Sequence, residues 1–107
     1  MAARRVRITV LATRYDAALA AAHYRADMPV GPCEHFHVGD VFVVGDPPRQ
    51  PEGFACAWAW QDLQQVVAVL LYGGDFGQWM AEPRSFVACC TDGIKPVVFH
   101  VEALEEP

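Results

Sequence analysis

The segment from Trp58 to about Tyr72 constrains the fold most: Trp60, Leu63, Val66, Val67, Leu70 and Leu71 recur at helical spacing, and Gly73-Gly74 supplies a stop. A helix with such a stripe needs a sheet or another helix to cover it. Because Trp58 and Trp60 lie about 200° apart around a 3.6-residue helix, at most one of them points straight into a core. The other is free for a pocket wall, a partner surface or a sheet edge.

The partners for that helix are short strands. Residues 5–12 alternate Val6, Ile8, Val10 and Ala12 against Arg5, Arg7, Thr9 and Leu11, the period of a strand with one buried face. Asp16 is a candidate N-cap for an Ala-rich helix running to about Ala26, with Leu19, Ala22, His23 and Ala26 on one face and Pro29 ending it. An irregular or extended stretch from Gly31 to His37 leads through a Gly39-Asp40 turn into a short strand, Val41–Val44. A Pro- and Gly-rich loop over 45–53 delivers the chain to Cys56, just ahead of the main helix. After a loop holding Phe76, Trp79 and Met80, residues 85–90 and 96–102 read as a hairpin around Thr91-Asp92-Gly93. The order β-α-β-α-β-β predicts one α+β domain over 1–107, an antiparallel or mixed sheet covered by two helices, with short frayed tails at both ends that include Leu104–Pro107.

Composition narrows the setting. With 107 residues, 53% hydrophobic and 20% charged, the chain has room for one core and no disordered composition, and no apolar run reaches the ~18 residues of a membrane span. The net charge of −5 argues against a nucleic-acid partner, since the basic residues at 4, 5, 7 and 14 form no broad stripe. The basic N-terminus is followed by alternation and not by a continuous apolar run, so export is not supported and the cytoplasm is expected. Four cysteines in that setting are expected as reduced thiols, available as metal ligands or nucleophiles.

Cys33, His35 and His37 alternate, so an extended chain would point all three to one side, where they could begin a site for zinc or iron. Cys56 and one of Cys89 and Cys90 would complete it; adjacent strand residues face opposite sides, so Cys89 and Cys90 serve together only where a bulge intervenes. Free cysteine is also a common core filler, an alternative that fits Cys56 and Cys89 best. A metal-free reading uses Cys33 or Cys56 as nucleophile or acid/base, with Asp62 or Asp92 assisting. Trp58, Trp60, Phe76 and Trp79 are candidate walls of a pocket for a small planar molecule. A third reading is a non-catalytic ligand-binding or interaction module, with a homodimer as its simplest form.

Val30-Gly31-Pro32-Cys33, Pro51-Glu52-Gly53-Phe54 with Cys56, Trp58-Ala59-Trp60-Gln61-Asp62, Gly73-Gly74 with Phe76, Trp79-Met80, Cys89-Cys90-Thr91-Asp92-Gly93-Ile94 and Pro96-Val97-Val98-Phe99 form a series spanning most of the chain. The series resembles an uncharacterised family of small bacterial proteins of about this length. The resemblance implies a thiol-centred site at Cys33, Cys56, Cys89 and Cys90, and it implies no particular activity. His37 departs from the lysine that the relatives tend to carry there.

Overall fold

A computed structural model describes residues 5–105. The elements are β1 (Arg5–Thr13), α1 (Ala17–His23), β2 (Val41–Val44), α2 (Ala57–Leu71), β3 (Ser85–Cys89) and β4 (Val97–Leu104). The four strands form one fully antiparallel sheet in the order β2-β1-β4-β3, so the fold is α+β. Sequence-adjacent β3 and β4 pair as the expected hairpin, from Ser85 opposite Glu102 to Cys89 opposite Val98.

Strand alternation builds the core. Val6, Ile8 and Val10 of β1 and Val97, Phe99 and Val101 of β4 send their side chains to one face, where α2 lays Ala59, Trp60, Leu63, Val67, Leu70 and Leu71 against them. Each large side chain so buried contributes about 1.5–3 kcal/mol. An aromatic group completes this layer: the Phe36 ring lies 4.9 Å from that of Phe54 and 5.3 Å from that of Phe99. Phe54 also meets Trp60 at 6.3 Å. Phe36 therefore nails the irregular segment between α1 and β2 to the core. The opposite face of the sheet exposes Val41, Val43 and Val87 beside the Arg7–Glu102 ion pair at 3.2 Å.

Three expectations need correction. The register of β1 against β4 shifts between Val10 and Ala12, so Val10 faces Phe99 while Ala12 faces Val98; the alternation does not carry Ala12 inward with Val10. α1 starts where Asp16 caps it, accepting the Leu19 N–H at 2.9 Å, but it ends at His23, with Tyr24 extended. Its one buried residue is Ala20; Leu19, Ala22, His23 and Ala26 face solvent, because an Ala-rich turn has little apolar bulk to drive it inward. Leu104 is not frayed: it pairs with Arg5 in the sheet, and the next residue, Glu105, is bound by Arg84. The rest of the expected tails, 1–4 and 106–107, lies outside the described residues.

Candidate functional site

Cys56 is the N-cap of α2, extended at φ −137° and ψ 114°, and its Sγ accepts the Ala59 N–H at 3.5 Å. The chain thus puts a thiol where serine, threonine, aspartate or asparagine ordinarily closes the first helical turn. Two residues on, Trp58 stands out from the fold at 72% exposure, whereas Trp60 turns into the core at 8%. The angular separation of the two rings around α2 has this consequence.

Cys90 comes from the opposite side of the site, at the end of β3. Its N–H donates to Val97 O at 3.0 Å, and its Sγ accepts the Val97 N–H at 3.3 Å. Cys89 leaves the strand on the other side and is exposed. Burial of the Cys89 thiol, followed by the neighbouring Cys90, pushes its pKa up. The third thiol, Cys33, belongs to the segment that Phe36 anchors and is half-buried against the core.

Cys33, Cys56 and Cys90, from three separate stretches of chain, line one pocket of about 220 Å³. Phe36, Trp58, Ala59 and Val97 give it apolar walls, and His35, Thr91, Asp92 and Lys95 supply the polar ones. An adjoining depression of about 290 Å³ shares Cys33, His35, Asp92 and Lys95 and adds Tyr24, Met28, Pro29 and Glu34. The turn between β3 and β4 is built by Asp92, whose Oδ1 accepts the N–H groups of Ile94 and Lys95 at 2.8 and 2.9 Å. The Tyr24 phenol is pushed up by burial and then by the Asp92 carboxylate, so it stays protonated across the neutral range.

The structure separates the remaining candidates from this pocket. His37 is exposed, its backbone N–H donating to Asp40 Oδ2 at 2.9 Å and its Nδ1 lying 3.9 Å from the same oxygen. The strict alternation expected of Cys33, His35 and His37 fails because the segment runs through bends and not as a strand, with Phe36 claiming the inward position. Asp62 is not a lining residue; it accepts the hydroxyl of Thr91, which is one, at 2.5 Å. Asp92 lines the pocket, but one of its oxygens is committed to the turn. Trp60 serves the core, Phe76 stacks on Phe86 at 4.5 Å, and Trp79 is 72% exposed; none of the three lines the pocket. Neither Cys56 nor Cys89 fills the core, the one being a half-buried cap and the other exposed.

Phe36, Ala59, Thr91, Lys95 and Val97 line the pocket without being singled out by the sequence, and two of them shape it most. Phe36 is hidden inside a stretch whose cysteine and histidines point to metal ligation and not to a core anchor. Lys95 carried a usable signal, since it is the only lysine in the chain.

Among the described residues, no group of three or more Cys, His, Asp and Glu side chains stands close enough to hold one metal ion. Nor is any helix there long and apolar enough to cross a membrane. Comparison of the chain with protein-family models, curated proteins and solved structures gave no match.

Proposed function

We propose that this domain is a thiol-centred binding protein for a small molecule, acting in the cytoplasm, with Cys56 as the group that meets the ligand. The observation that carries the reading is the convergence of Cys33, Cys56 and Cys90 on one partly apolar pocket. Core cysteines scattered as fillers have no reason to line one solvent-open pocket. Cys56 is singled out because its sulfur is oriented by the Ala59 N–H, in the geometry by which a helix N-terminus receives a negatively charged group. Trp58 supplies a flat, exposed surface at the mouth, and Phe36 and Val97 supply the floor. Membership of the small bacterial family that the motif series resembles belongs to the same proposal.

The test is brief alkylation with limiting iodoacetamide, followed by peptide mapping. Fast modification of Cys56, slowed when a binding small molecule is present, supports the reading; four thiols reacting at one slow rate contradict it.

Zinc or iron is the second reading, and the lining of one pocket by three cysteines is what favours it. Among the described residues the donors lie too far apart for one ion, so an ion would require them to draw closer together. Metal analysis of protein purified reduced and untagged separates the two: near-stoichiometric zinc or iron, with thiols exposed only by a chelator, makes the metal primary.

A further inference from the structure

Lys95 is the single lysine of the chain and stands on the wall common to the thiol pocket and the adjoining depression. Its ammonium donates to Pro29 O at 3.1 Å and lies 5.9 and 5.8 Å from the ring centres of Tyr15 and Tyr24. These contacts hold the group in place, and none of them is with a carboxylate. An ammonium carries three donors, so further N–H groups remain for a ligand. No carboxylate among the described residues forms an ion pair with it. Asp92, the acid on the same wall, has Oδ1 engaged by the turn, and Glu34 lies exposed on the depression.

A fixed cation on the wall of a partly apolar, cysteine-bearing pocket defines an amphipathic occupant. We propose that the site takes a small organic carboxylate, its anionic end on Lys95 and its apolar or electrophilic end among Phe36, Trp58 and Cys56. The assignment rests on the thiol-pocket reading and gives that pocket a ligand class.

Iodoacetate and iodoacetamide test it, because they are similar in size and differ in charge. With either, the Cys56 sulfur forms a bond to the methylene carbon, the C–I bond breaks, iodide leaves with its electron pair, and the thiol proton passes to buffer. Rates at Cys56 are read by peptide mapping, with the same cysteine in urea-unfolded chain as reference. The iodoacetate-to-iodoacetamide ratio should rise about five-fold on folding, the factor one unit charge gives at contact distance through water. Lys95→Gln should abolish that rise and Lys95→Arg should keep it. In the unaltered chain, about 0.5 M sodium chloride should slow iodoacetate and leave iodoacetamide unchanged, which keeps the proposal testable if the variants fail to fold. Fast reaction with both reagents at an unchanged ratio overturns the carboxylate assignment alone. Slow reaction of Cys56 with both overturns the thiol-pocket reading beneath it.

Discussion

Cys56 has two duties in one atom: its sulfur closes the first turn of α2 and faces the pocket. The two duties separate by substitution. Cys56→Ala removes the cap acceptor and should lower stability by about 1 kcal/mol, whereas Cys56→Ser keeps an acceptor and should hold stability near the parent while losing thiol reactivity; urea titration and alkylation read the two effects. Cys89 gives a contrasting case of a visible but sluggish thiol. Its pKa is raised above the ordinary 9.0, chiefly by burial and next by Cys90. The thiolate is the nucleophile, so at pH 8 Cys89 should label more slowly than a free cysteine despite its exposure, and approach the free rate only in more alkaline solution. Cys90→Ala should move that profile to lower pH. A Cys89 profile identical to that of a free thiol would contradict the assignment.

At the scale of elements, α2 was the most legible part of the sequence because six large apolar residues repeat the helical period and glycines end it. The stop itself is a matter of backbone sterics: Gly73 lies at φ 94°, and the Gly74 N–H returns to Val69 O at 2.8 Å. Arg84 adds to the closure, its Nη2 donating to Leu70 O at 2.9 Å. Gly73→Ala should cost about 1 kcal/mol through the left-handed conformation, and Gly73→Asn less, as measured by urea midpoints. β1 was legible only to Val10, since nothing in the alternation of Leu11 and Ala12 announces the register shift. α1 was over-extended because alanines favour a helix without saying where tertiary contacts stop supporting it. The expected face of Cys33, His35 and His37 holds Cys33 and His35 on one pocket and loses His37, because periodicity presumes a strand and the segment bends around an inward Phe36.

At the scale of the whole molecule, the site is an outcome of topology. The order β2-β1-β4-β3 sets β4 beside β3, and the turn joining them carries Cys90, Asp92 and Lys95 toward the start of α2. The Phe36 anchor brings Cys33 to the same place from a segment with no regular structure. Residue type marks these cysteines as candidates; which of the adjacent pair lines the pocket is decided by strand geometry; and the position of Lys95 depends on a turn whose direction sequence alone does not specify.

The shared pocket is tested most directly by limited labelling with N-ethylmaleimide and peptide mapping of singly modified protein. A pocket of about 220 Å³ has little space left once one maleimide occupies it. Modification at Cys56 should therefore slow labelling of Cys33 and Cys90 at least about ten-fold, a barrier of roughly 1.4 kcal/mol, and leave Cys89 unaffected. Independent labelling of Cys33, Cys56 and Cys90, each at a rate indifferent to the others, would contradict a single thiol-lined site.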